Sequence, residues 1–152
     1  MKARSIIIGV LGIAALAAVG YAAVPRAPEP AREAVPAITG QQLQFEIADT
    51  PEERERGFSG RADVPGGYGL LFVFDRADRY GFWMKDMLVP IDIIWLQDDG
   101  TILGIEEAVS PDTYPTPFYP PEPVRFVLET RAGEARAQGW EVGTRIALPD
   151  SR

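Results

Sequence analysis

Ile91-Asp92-Ile93-Ile94-Trp95-Leu96, then Gln97-Asp98-Asp99-Gly100, then Thr101-Ile102-Leu103-Gly104-Ile105-Glu106-Glu107-Ala108 reads as two strands joined by a tight turn. The first run is short, apolar and rich in branched side chains, and Asp-Asp-Gly is a hairpin signal. Working outward, Leu70-Leu71-Phe72-Val73-Phe74 is a continuous apolar run short enough for a buried strand, and Arg79 to Met87 reads as another. Leu43, Phe45 and Ile47 alternate with Gln42, Gln44 and Glu46, as in a strand with one buried face. Val124 to Thr130 and Thr144 to Leu148 complete the set. Thr50-Pro51-Glu52-Glu53 supplies a capping residue, a proline at the first helical position and a glutamate at the third, so a short helix should end at Gly57. A second short helix is expected near Arg131 to Ala137. Sequential β-runs joined by tight turns predict a mainly β fold, a compact antiparallel sandwich or barrel with one or two short helices.

The chain has 152 residues and a formal charge of -7, room for one domain with a modest core. Its acidity makes nucleic acid a poor partner. With no Cys and no His there is no disulfide, thiol nucleophile, Cys/His zinc site or Ser-His-Asp triad. Neither a metal nor another cofactor is expected. Asp98-Asp99-Gly100 lacks the spaced oxygen ligands of a calcium loop and reads as a turn.

Lys2 and Arg4 precede an uncharged run from Ser5 to Val24, so residues 1–24 read as a signal peptide or an N-terminal membrane anchor. Positive charge ahead of the run sets the domain outside the cytoplasm in both cases, periplasmic or secreted if cleaved, associated with the inner membrane through residues 5–24 if not. Residues 25–40 form a Pro/Ala-rich linker, and 41–150 the β-rich domain.

Phe82-Trp83-Met84-Lys85-Asp86-Met87 contains the one lysine of the domain, set in an apolar run that has no packing use for a cation. Such an ammonium pairs with a carboxylate, contacts an aromatic face, titrates toward neutrality, or reaches water at a pocket rim. A tight reversal at Met87 to Pro90 would set Lys85 opposite Asp92, with Asp86 and Glu129 as other acidic partners. Arg56, at the end of the first helix, either pairs with Glu52 or is aimed into the same cleft. Arg56, Trp83, Lys85, Asp86, Asp92 and Glu129 are thus the candidate binding cluster, with no catalytic residue assigned. Trp83, Trp95 and Trp140 are expected in the core; a ring facing outward beside Tyr114 or Tyr119 would offer a sugar-stacking surface. Between Ser110 and Val124 six prolines interleave with Tyr114, Phe118 and Tyr119, which excludes a central strand and leaves either a stiff crossover or the wall of a binding site.

Arg56-Gly57-Phe58, Gly69 to Phe74, Phe82-Trp83-Met84-Lys85, Pro90 to Ile94 and Asp99-Gly100-Thr101-Ile102, followed by Val127-Leu128-Glu129, Gly133, Gly139 and Gly143, resemble the family known as domain of unknown function 192. The resemblance covers about Leu43 to Leu148 and implies a compact β-rich fold, members that are often exported or membrane-anchored, and no established activity. The family's usual Asn-Thr after the lysine is here Asp86-Met87, and a late Gly-Asp is Gly143-Thr144.

Three functions remain in competition. The first is an extracytoplasmic binding or accessory domain for an unknown small ligand or an envelope protein. The second is a hydrolase or lyase-like enzyme using Lys85 with a carboxylate. The third is a structural envelope protein in which Lys85 is a buried ion-pair tie. No nucleophile elbow, phosphate loop or paired-carboxylate motif accompanies Lys85, so the balance leans away from an enzyme.

Overall fold

The computed structural model describes residues 43–149. The segments read as export element and linker, residues 1–24 and 25–40, lie outside them. In chain order the elements are β1 (Gln44–Ala48), α1 (Pro51–Arg56), β2 (Tyr68–Asp78), β3 (Ile91–Leu96), β4 (Ile102–Val109), a 3-10 turn (Pro111–Thr113), β5 (Val124–Arg131) and α2 (Glu134–Ala137). Among the described residues no helix is long and apolar enough to cross a membrane.

The strands form one five-stranded sheet in the order β1-β2-β5-β3-β4. The fold is mainly β, as expected, but the sheet is open and mixed rather than a barrel. The β1–β2 pair is parallel, because the connection through α1 carries the chain back to the end where β1 began. All other pairs are antiparallel, and β3 and β4 form the hairpin that Asp98-Asp99-Gly100 announced. Beginning at Tyr68 and ending at Asp78, β2 outruns its apolar core and carries a register shift between Val73 and Asp78.

Every residue of β3 is buried, so its branched side chains fill both faces of the sheet. One face packs Leu70, Phe72, Ile93, Trp95 and Val127 against Phe58, Phe82, Met84 and Met87. The other packs Leu71, Ile94, Leu96, Phe126 and Leu128 against Ile146, with Trp140 and Leu148 alongside.

Two expected strands are not ladder strands. Arg79 to Met87 has a single bridge, Phe82 to Phe118, and then turns where Met87 N–H donates to the Met84 carbonyl and Asp86 takes φ 57°. The reversal that would have set Lys85 opposite Asp92 is therefore absent. Thr144 to Leu148 makes one bridge, Thr101 to Arg145, and serves as a cover held by Ile102 N–H on Thr144 O and Ile146 N–H on Gly100 O.

The helix α1 follows its sequence cues closely. Thr50 Oγ1 accepts from Glu53 N–H at 3.3 Å while the Glu53 carboxylate accepts from Thr50 N–H at 3.2 Å, and Gly57 ends the helix at φ 50°.

Candidate functional site

Along β5 side chains alternate between faces, so Val127 and Glu129 point to one core and Leu128 to the other. Leu70 of β2 and Ile93 of β3 flank Glu129 in the ladder. A carboxyl is thus built into the middle of an apolar sheet face. Glu129 is 5% exposed, and its Oε2 is buried with no hydrogen-bond partner. Burial raises its pKa to about 8, against the smaller opposing pull of the Arg61 charge. The group is therefore predominantly a neutral acid at pH 7.

Above Glu129 lies a cleft of about 270 Å³. The last turn of α1 and its exit form one wall, where Arg54, Arg56, Gly57 and Ser59 line the space. Phe72 and Phe74 of β2 and the following segment with Tyr80, Phe82 and Trp83 form the other. Gly57 matters twice. Its φ of 50° disfavours a side chain, and a Cβ there would sit 3.4 Å from the Phe72 ring and 3.5 Å from Glu129 Oε2. The rings brace one another: Phe72 meets Phe82 edge to face at 4.8 Å, and Phe74 stacks on Tyr80 at 3.6 Å. Arg54 is already committed, donating to Asp49 O at 2.5 Å and Val73 O at 2.9 Å while lying over Phe74. Arg56 is exposed and forms no ion pair among the described residues, so the expected pairing with Glu52 is not made.

Of the candidate cluster, then, Arg56, Trp83 and Glu129 line one cleft. Lys85 and Asp86 are both exposed, and Lys85 has no ion pair among the described residues, which removes the buried tie expected of it. The backbone here is anchored instead: Ser59 Oγ donates to Lys85 O at 2.9 Å and Gly60 N–H to Asp86 O at 2.8 Å. Asp86 occupies a left-handed position that Asp and Asn tolerate better than most residues, so the departure from the family's usual amide is accommodated by the backbone.

Asp92 leaves the sheet elsewhere and is fully buried. Its Oδ1 accepts from Ala108 N–H at 2.8 Å and Gly133 N–H at 3.1 Å, and its Oδ2 from Ala135 N–H at 3.0 Å. It ties β3 to the end of β4 and the start of α2. Glu134 is similarly engaged, with burial raising its pKa but bonds from Gln138, Arg131 and Gly67 N–H holding it below the usual carboxylate value. In the middle of β1, Glu46 accepts from the Tyr68 hydroxyl and from Arg61 at 2.8 Å, and these bonds, that of Tyr68 foremost, lower its pKa. Among the described residues no group of three Asp or Glu could hold a metal ion.

Of the aromatic loop, Phe118 joins Phe82 through paired backbone bonds, and the Tyr119 ring lies against Gly81. Trp83 is 53% exposed and meets Tyr114 edge to face at 6.2 Å, which corrects the expectation that it belongs to the core. Trp95 is buried, as expected. The lining residues Tyr80, Ser59 and Phe74 were not singled out from sequence. Glu129 has a legible signal, one acid inside the run Phe126-Val127-Leu128-Glu129-Thr130, although the sequence alone offers it only as an acidic partner for Lys85.

Comparison with known proteins gives a family rather than an activity. The family model DUF192, described as "Uncharacterized ACR", matches residues 34–148. A crystal structure from Sinorhizobium meliloti 1021, provisionally described as a transcription regulator, is similar with a TM-score of 0.65 and 34% identity, covering 68% of this chain and 79% of that one. A second, of a protein of unknown function from Novosphingobium aromaticivorans DSM 12444, has a TM-score of 0.66 and 27% identity, covering 70% of this chain and 75% of that one. Among curated proteins there is no significant match.

Proposed function

The chain belongs to the DUF192 family, and we propose that its domain is an extracytoplasmic binding module whose small ligand seats in the cleft over Glu129. The observation that carries this reading is the orphaned Glu129 oxygen under an aromatic-walled opening. A buried polar atom without a partner is a standing cost of about 1–3 kcal/mol, which a ligand bond would relieve. Sheet stability offers no reason for an acid at this position, since Val or Leu would fill it without that cost. Few polar groups converging in an apolar concavity are what small-ligand sites have in common. The placement outside the cytoplasm rests on the basic start and apolar run of residues 1–24.

The regulatory role attached to the Sinorhizobium structure is not carried over, because a net charge of -7 disfavours the phosphate backbone. A second reading has its own support: Trp83 faces outward beside Tyr114, so a sugar ring stacked on that pair would lie at the edge of the cleft. A thermal-shift screen of the 152-residue chain against sugars, peptides, nucleotides, amines and divalent ions tests both. A cleft ligand should raise Tm in the parent and lose that effect in Glu129→Gln. A stacked sugar should lose it in Trp83→Ala and keep it in Glu129→Gln. A screen in which nothing raises Tm overturns the binding reading.

A further inference from the structure

We infer that the cleft takes an organic cation, an ammonium or amidinium on an apolar stem, with its N–H groups on the Glu129 carboxyl and its stem among Phe72, Phe82 and Trp83. The inference rests on the cleft being a ligand site and names the chemistry of that ligand.

Three observations point the same way. The unpartnered atom at the base is a carboxyl oxygen, an acceptor when ionised, and it shares the cleft with Phe72, Phe74, Tyr80, Phe82 and Trp83, aromatic rings whose faces favour positive charge. The protein already shows this chemistry at the cleft wall, where the Arg54 guanidinium lies 5.2 Å from the Phe74 centroid. The chain's charge of -7 raises the local concentration of cations over anions. Arg56 at the wall adds a donor for an anionic or hydroxyl substituent on the ligand, and it is unpaired among the described residues.

A cation at this place has a protonic signature. The titratable and charged groups sharing the cleft with Glu129 are Arg54, Glu55, Arg56 and Tyr80, with Arg61 acting on it by charge; the flanking residues of β2 and β3 are apolar. An ion pair with the ligand needs Glu129 ionised, so binding below a pKa of about 8 releases a proton to solvent. Affinity should then rise roughly tenfold per pH unit up to about pH 8 and level off above it.

Isothermal titration of the 152-residue chain with benzylamine and benzamidine, beside benzyl alcohol and benzoate, tests this. Titrations between pH 6 and 9, in buffers of differing ionisation heat, count the proton. The expected result is binding of the two cations at least tenfold tighter than of the alcohol or the benzoate, with proton release at pH 7. Glu129→Gln, confirmed as folded by its thermal melt, should abolish the preference and the proton release together; Glu129→Asp should keep both in weakened form. Equal or tighter binding of benzyl alcohol or benzoate, affinity independent of pH, or no binding of either cation would each overturn the inference. If the cations fail while another compound class raises Tm in a Glu129-dependent way, the ligand chemistry is wrong and the binding reading stands. A screen silent in every class removes both.

Discussion

Asp92 and Glu129 are buried acids on neighbouring strands with opposite circumstances. In the ladder Asp92 faces Thr130 and Ile93 faces Glu129, so the two side chains leave opposite faces of the sheet and cannot act as a catalytic pair. Asp92 accepts three backbone N–H groups, and Asp92→Ala would strand them. A loss of about 3 kcal/mol or more is expected in denaturant melts, whereas Lys85→Ala, at an exposed position, should stay within about 0.5 kcal/mol. Equal effects would contradict the assignment of roles. Glu129 gives a dependence on pH instead. Its folded pKa of about 8 lies above the ordinary 4.5, so between those values the folded chain holds a proton that the unfolded chain has released. Its contribution to stability therefore falls as pH rises through that window and flattens above about 8, a total of several kcal/mol, roughly. In Glu129→Gln this component of the slope should vanish, read as the difference between parent and variant melts across pH. At this scale the sequence was half legible. A lone lysine among aromatics draws the eye because charge is costly in a core, but Phe82, Met84 and Met87 are buried while Trp83, Lys85 and Asp86 are exposed, so the run is an irregular surface segment. The costly polar group is the glutamate inside a true strand, where burial keeps it protonated.

Among the elements, those with local physical signatures were readable. The capping box, the Pro at the first helical position and the C-terminal glycine fixed α1, and the Asp-Asp-Gly turn fixed the β3–β4 hairpin. Elements whose identity depends on a distant partner were not readable, as with Arg79 to Met87 and Thr144 to Leu148, whose alternation suits a strand although only one bridge forms in each. The second of these covers the hairpin at close range. A Cβ on Gly100 would lie 2.1 Å from Ile146 O, at a backbone φ of 84°. Gly100→Ala must therefore displace the cover, breaking Ile146 N–H to Gly100 O and Arg145 Nε to Asp99 O. A loss of about 2 kcal/mol or more is expected, with faster amide exchange at Ile102 and Ile146 as the local sign. Unchanged exchange there would mean that the cover is not held by this turn.

For the whole molecule, alternation and tight turns made a mainly β fold legible, but not whether the sheet closes. Closure depends on strand order and shear, which no local pattern encodes, and here β1 and β4 do not pair, so they remain the edges of an open sheet. Both faces are nonetheless covered within residues 43–149, so residues 37–152 expressed alone should be soluble and unfold cooperatively. An aggregated or non-cooperative product would place part of the core in the preceding segment. The same packing makes the cleft a property of the assembled fold: its base comes from β5, one wall from α1 and the other from β2 and the segment after it. The most direct test of that assembly is a carboxyl carbon-13 NMR titration of Glu129 in the 152-residue chain, with and without benzylamine. A midpoint near 8 in the free protein, moving downward when the amine is added, is the expected result. An ordinary midpoint near 4.5, or one near 8 that benzylamine leaves unmoved, would contradict a cation site built on a buried acid.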